Sequence, residues 1–191
     1  MQFLKSIHLS LLALVALTSA LPAPELAERA SPCTTVLPAI ARVDEARPVE
    51  SYLPGFKISQ DNGATNRNDV FAEFTIPAGS WGCTLQYSFS AGYSLELSGQ
   101  TAVEVYAVPG PLNRSPHGID VSWDYCPAPL YQVGSVNFET SATQTTTRTI
   151  NSFACAQTMT YRFTIADWST QAGNVEFEQK NDAGLRMVYG C

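Results

Sequence analysis

After residue 70, apolar side chains recur at every second position along most of the chain. Val70, Ala72, Phe74 and Ile76 alternate with Phe71, Glu73 and Thr75, and Cys83, Leu85, Tyr87 and Phe89 alternate with Thr84, Gln86 and Ser88. Val103, Val105 and Ala107 follow Ser98-Gly99, and Met159, Tyr161, Phe163 and Ile165 are interleaved with Thr160, Arg162 and Thr164. Val175 and Phe177 flank Glu176, and Leu185, Met187 and Tyr189 are separated by Arg186 and Val188. Successive side chains of a strand point to opposite faces, so each run predicts one face in a core and one in water. Turn formers stand between the runs: Pro77-Ala78-Gly79, Ala91-Gly92, Pro109-Gly110-Pro111, Gly134, Ala172-Gly173-Asn174 and Asn181-Asp182-Ala183-Gly184. The pattern predicts an all-β fold, an antiparallel β-sandwich of jelly-roll type with about ten short strands.

Three segments depart from simple alternation. Residues 143–150, TQTTTRTI, are β-branched and polar, which suits an edge strand whose Arg148 discourages pairing with other chains. AIARVDEAR, 39–47, has the spacing for one or two helical turns. Residues 33–56 carry Pro38, Pro48 and Pro54 and read as an extended arm tethered through Cys33, or as a detached linker. The sandwich itself is placed at 52–191, behind an arm or short propeptide at 21–51.

The first residues change the picture by setting the compartment. A short head with one charge, Lys5, precedes the apolar run IHLSLLALVAL and then Thr18-Ser19-Ala20, with small residues at the −3 and −1 positions of a cleavage site. That is the plan of a secretory signal peptide over 1–20, too short to span a bilayer. The Pro/Ala/Glu-rich LPAPELAERA that follows reads as a leader, with Arg29 as a second point of cleavage. Secretion to the cell exterior is the expectation, with the cell wall as a destination and no membrane anchor. Removing 1–20 takes away Lys5 and no acid, leaving 10 basic against 17 acidic residues, net −7. Such a chain offers no electrostatic footprint for nucleic acid.

Five cysteines remain beyond the signal peptide: Cys33, Cys83, Cys126, Cys155 and Cys191. In an oxidising compartment disulfides are expected, and spacings of 50, 43, 29 and 36 residues exclude C-x-x-C redox or zinc pairs. Two bridges can be drawn in 15 ways with one thiol left over, and spacing does not choose among them.

From Phe71 onward the chain resembles a family of fungal secreted domains named for the C-terminal domain of a ubiquitin-3-binding protein (But-two). The resemblance rests on FTIPAGSWGCTLQYSF, SGQTAVEVY, SWDYCPAP, FACAQTMTYRFTI and, most specifically, VEFEQKNDAGLRMVYGC. It covers about 120 residues. It implies a secreted or wall-associated protein and assigns no activity. Cys83, Cys155 and Cys191 fall on the family's cysteine positions, which implies Cys83 or Cys155 as the partner of Cys191; Cys33 and Cys126 are additions to that pattern.

Candidate chemistry is sparse. His117, in the loop NRSPHGID, is the one histidine beyond the signal peptide, and neighbouring Ser115 and Asp120 do not make a hydrolase triad without a G-x-S-x-G elbow. Glu73, Glu96, Glu104, Glu176 and Glu178 fall on predicted strands, at positions where solvated acids belong. Two of them facing each other would suit glycoside hydrolysis. Trp81, Trp123 and Trp168 stand at loop-like positions, either facing sugars or plugging the ends of the sandwich. The oxygen-rich SQDNGATNRNDV, holding Asp61, Asn62, Asn66, Asn68 and Asp69, lacks the spacing of a calcium loop, and its Asn62-Gly63 predicts a turn. Asn113-Arg114-Ser115 is a glycosylation sequon in Pro/Gly-rich surroundings that keep it on the surface, and Pro116 directly after it is expected to reduce its use. These residues support a non-enzymatic extracellular protein, with wall polysaccharide or an extracellular protein as partner. A secreted carbohydrate-active enzyme is the alternative. No cofactor or metal is expected.

Overall fold

The structure, a computed structural model, describes residues 33–191; the signal peptide and leader expected before them lie outside the described residues. Fourteen strands form among the described residues: β1 (Thr34–Val36), β2 (Ala39–Asp44), β3 (Phe56–Asp61), β4 (Thr65–Thr75), β5 (Cys83–Phe89), β6 (Glu96–Gly99), β7 (Ala102–Ala107), β8 (Arg114–Ser115), β9 (Gly118–Ile119), β10 (Tyr131–Asn137), β11 (Thr146–Phe153), β12 (Thr158–Ile165), β13 (Gly173–Phe177) and β14 (Ala183–Tyr189). All pair antiparallel. A four-stranded sheet has the order β1-β14-β5-β11, and an eight-stranded one runs β10-β7-β12-β4-β3-β13-β6 with β2 also on β4. The remaining two, β8 and β9, make a small hairpin within the β7–β10 connection.

The strands predicted by alternation are present, and β11 is the edge strand expected around Arg148. Two expectations near the N-terminus are corrected. The first six residues of AIARVDEAR are strand β2 and not helical turns, because Ala41 and Val43 both find apolar burial on one face while Ile40 packs toward the other. The domain also starts before residue 52, since β1 joins one sheet and β2 the other. Strand β4 makes room for β2. Its edge away from β12 is shared, with β3 paired to its first half and β2 running from Asn68 to Glu73. Gly134, expected in a turn, sits at a bulge inside β10, where a Cβ would lie 3.2 Å from the Ile150 carbonyl oxygen of β11.

The inner faces of the two sheets enclose the main core. Val70, Ala72 and Phe74 of β4 meet Leu85, Tyr87 and Phe89 of β5, with Phe56, Phe138 and Phe177 packed between. Phe56 and Phe177 stack at 3.9 Å between centroids. The outer face of the large sheet is also covered. Residues 108–121 of the β7–β10 connection lay Val108, Leu112, Ile119 and Val121 over Phe71, Ala41 and Val43.

Each disulfide staples the ends of two neighbouring strands in the four-stranded sheet. Cys83 opens β5 and Cys155 follows β11, where Phe153 is the register partner of Cys83. Cys33 precedes β1 and Cys191 follows β14, which pair from Thr34 with Tyr189. The partner of Cys191 is therefore Cys33, and not Cys83 or Cys155 as the family positions implied, because β1 lies beside β14 throughout. Bridging 158 and 72 residues stabilises by roughly 4 to 5 kcal/mol each in the chain-entropy model.

The terminal motif EQKNDAGL has a structural reason. The Gln179 amide donates to the Leu185 carbonyl at 2.9 Å, and the Leu185 N–H donates back to Gln179 Oε1 at 2.8 Å. Gly184, with φ at 108°, leaves the space this side chain needs, since a Cβ there would lie 2.4 Å from Gln179 Oε1.

Candidate polar pocket on the outer face of the large sheet

On β4 the outer-facing positions are Arg67, Asp69, Phe71 and Glu73; on β12 they are Thr160, Arg162 and Thr164. Antiparallel register sets Arg162 directly opposite Phe71. The Arg162 guanidinium lies 5.6 Å from the Phe71 ring centroid and 5.3 Å from that of Trp123, so both aromatic faces hold it. It reaches Asp69, donating to Oδ2 through Nε at 2.8 Å and Nη2 at 2.6 Å. Asp69 is only 1% exposed, and its other oxygen, Oδ1, makes no hydrogen bond among the described residues.

Arg67, one pleat along β4, donates through Nη2 to Thr164 Oγ1 and to Asp167 Oδ1, the latter at 3.1 Å. Its buried Nε is also unpartnered. The Tyr106 hydroxyl of β7 lies 3.0 Å from both Glu104 Oε2 and Asp167 Oδ2. Burial, followed by these two carboxylate partners, pushes the Tyr106 phenol well up, so it remains a protonated donor. Arg67, Asp69, Tyr106, Arg162, Thr164 and Asp167 line a pocket of about 180 Å³. That is smaller than the roughly 300 Å³ of drug-sized sites and suits one small polar molecule.

Glu73 and Glu104, expected in water, are buried on this face. Glu73 accepts from the Leu112 N–H at 2.6 Å and pairs with Arg114, fastening the covering connection to the sheet. Glu104 accepts from Tyr106 and from the Asp167 N–H at 3.0 Å. Alternation correctly placed both away from the inter-sheet core, but the covering connection encloses Glu73, and Tyr106 with the chain at Asp167 encloses Glu104. Glu104 and Asp167 both bond the Tyr106 hydroxyl, each at 3.0 Å, which makes them the carboxylates to weigh as a glycosidase pair on this face. The Tyr106 hydroxyl, however, occupies the place between them that a glycosidic oxygen would need.

The remaining glutamates lie elsewhere. Glu96 and Glu176 are register partners on β6 and β13 and share a groove with Glu178. Lys57 neutralises Glu176 at 3.1 Å, and Lys180 pairs with Glu178 at 2.7 Å.

The three tryptophans do not form one platform. Trp81 is exposed beside the chain end, where its carbonyl accepts from the Gly190 N–H at 2.8 Å. Trp123 is half-buried against Arg162, on the outer face of the large sheet. Trp168, next to Asp167, is 71% exposed. His117 makes an edge contact with Tyr52, and Ser115 Oγ accepts from the Tyr52 hydroxyl at 2.7 Å and from the His117 backbone N–H at 3.1 Å. The Ser115 hydroxyl is thus held by groups other than the imidazole. Asn62-Gly63 lies in the β3–β4 turn as expected; Asn66 donates to Asp61 at 2.8 Å and Asn62 Oδ1 accepts from the Ala172 N–H at 2.9 Å. Asn113 is exposed. Cys126 is the free cysteine, donating to the Trp123 carbonyl at 3.2 Å, and burial pushes its thiol up.

Sequence reasoning missed Arg67, Asp69, Tyr106, Arg162 and Asp167 as a group. The one available signal was the charge at alternate positions of β4, at Arg67, Asp69 and Glu73, with the single Arg162 on β12. No helix among the described residues is long and apolar enough to cross a membrane. Compared with known proteins, the chain matches no family model and no curated protein.

Proposed function

We propose that the chain is a secreted, non-enzymatic β-sandwich of the fungal surface or wall that binds glycans through the pocket on the outer face of its large sheet. The secretory reading rests on the N-terminal pattern of residues 1–20 and the two disulfides. The But-two-like motifs point the same way.

One observation carries the binding reading: Arg67 and Asp69, each with a buried side-chain atom (Nε and Oδ1) that has no partner among the described residues, stand together in the lining of one small polar pocket. A buried polar atom without a partner costs about 1–3 kcal/mol. A sugar's adjacent hydroxyls, each both donor and acceptor, suit a pocket lined by carboxylates, guanidinium groups and hydroxyls. Tyr106 and Thr164 add hydroxyls, and exposed Trp168 stands beside the pocket in sequence.

Glycoside hydrolysis at Glu96 and Glu176 is the second reading, favoured by their direct opposition across β6 and β13. Against it, both Glu176 and its partner Lys57 are over a third exposed, whereas a general acid needs burial to hold its proton.

A pull-down on wall polysaccharides with a glycan array decides between them. The wild-type protein should retain glycan, and Tyr106→Phe should weaken binding about tenfold through one lost hydroxyl contact. Glycan binding unchanged in Tyr106→Phe overturns this site. Reducing ends released by wild type and not by Glu96→Gln would establish the enzyme instead.

A further inference from the structure

Asn113 lies on the wall of a groove of about 440 Å³ formed where the β7–β10 connection folds over the sheet. Its other walls include Pro109, Pro111, Leu112, Val121 and Tyr125. Tyr125 is 73% exposed, a large ring left facing water on a surface about half polar and half apolar. The groove belongs to the layer that Glu73 fastens through Leu112 and Arg114, on either side of Asn113.

We propose that Asn113 carries an N-linked oligosaccharide and that its first sugars lie in this groove against Tyr125. The proposal rests on the secretory reading of residues 1–20, because the modification takes place in the secretory pathway. The Asn113 side-chain nitrogen forms a bond to C1 of the first N-acetylhexosamine of a lipid-linked oligosaccharide diphosphate. The bond from C1 to the diphosphate oxygen breaks, the lipid diphosphate leaves, and the amide gives up one proton to base. The acceptor meets the Asn-x-Ser requirement with Arg114 between, and it is exposed. The groove supplies what an attached sugar uses: an aromatic face for its C–H groups and an apolar wall. The occupant is delivered covalently at the groove's own edge, so it needs no affinity of its own to arrive. Once in place it braces the connection that covers Phe71.

The test is secretion of the full chain from a eukaryotic host, with peptide mass mapping before and after enzymatic removal of N-glycans. The Asn113 peptide should carry the glycan. Removing it should lower the melting temperature by about 2–4 °C in wild type. In Tyr125→Ala the difference should vanish, and Asn113→Gln should match the deglycosylated wild type. Material that starts after the leader yet has an unmodified Asn113 overturns the proposal alone. A glycan on Asn113 whose removal changes wild type and Tyr125→Ala equally overturns the groove contact. Material that retains Met1 overturns the secretory reading, and the proposal with it.

Discussion

The inner face of the large sheet buries Val70, Ala72, Phe74, Val105 and Phe163, while the outer face of the same strands buries Asp69, Glu73 and Glu104 around Phe71. One sheet thus carries two interiors of different chemistry. The inner one is held by apolar area, which is non-directional and adds up residue by residue. In the outer one each buried carboxylate requires its own donor: Arg162 for Asp69, Arg114 and the Leu112 N–H for Glu73, Tyr106 and the Asp167 N–H for Glu104. Such a layer contributes less net stability per group, but it fixes where the covering connection sits. It also lines a small surface pocket with polar side chains, which an apolar interior does not.

The largest expected effect tests whether the outer layer is a core at all. Phe163 and Phe71 are both fully buried, one on each face. Phe163→Ala and Phe71→Ala should each cost about 3–5 kcal/mol in urea unfolding if both faces are close-packed. A cost below about 1 kcal/mol for Phe71→Ala alone would make residues 108–126 a loose cover, because surface changes fall in that range.

The same contrast explains what could be read from the sequence. Period two identifies which residues share a face, and for β5, β12 and β14 it identified the inner face. It does not say whether the other face meets water. Glu73 looked solvated because its cover comes from residues 108–126, a Pro- and Gly-rich stretch without alternation, and Glu104 because Tyr106 and the chain at Asp167 close over it. Asn62-Gly63 was legible because a turn is a local event. The Cys33–Cys191 pairing was not, because it depends on β1 lying beside β14 across 158 residues. In β2, short apolar residues at 39, 40, 41 and 43 fit helical and alternating patterns alike, and the free edge of β4 decided between them.

An intermediate effect tests whether the outer layer depends on its ion pairs. Arg162 is 16% exposed and Asp69 1%, so Arg162→Met leaves a buried charge without its partner. The expected cost is about 3 kcal/mol, near the low end for breaking a buried pair. The double variant Asp69→Asn with Arg162→Met should recover part of it, because the uncompensated charge is gone. If the double variant is as unstable as the sum of the single ones, the two residues act independently and the pair does not organise the layer.

The smallest expected effect compares one tyrosine from each face at high pH. Burial pushes the Tyr161 phenol up on the inner face, with nearby Tyr131 adding to it. Burial raises Tyr106 on the outer face, and its hydrogen bonds to Glu104 and Asp167 raise it further. For a phenol raised above its ordinary 10.0, the folded state binds the proton more tightly than the unfolded chain does. The stability this contributes is complete below pH 10 and is lost as pH climbs through the raised value. For Tyr161 the loss is only about 0.4 kcal/mol at pH 10, where half of ordinary phenols have ionised. Phenolate absorbance of the folded protein should show both residues lagging behind the exposed tyrosines. The two should separate in Glu104→Gln. Replacing that acceptor removes one cause of the Tyr106 shift, so Tyr106 should titrate earlier while Tyr161 stays where it was. If Tyr106 does not move, burial alone holds its proton, and the carboxylates around the pocket are not what makes this hydroxyl a donor.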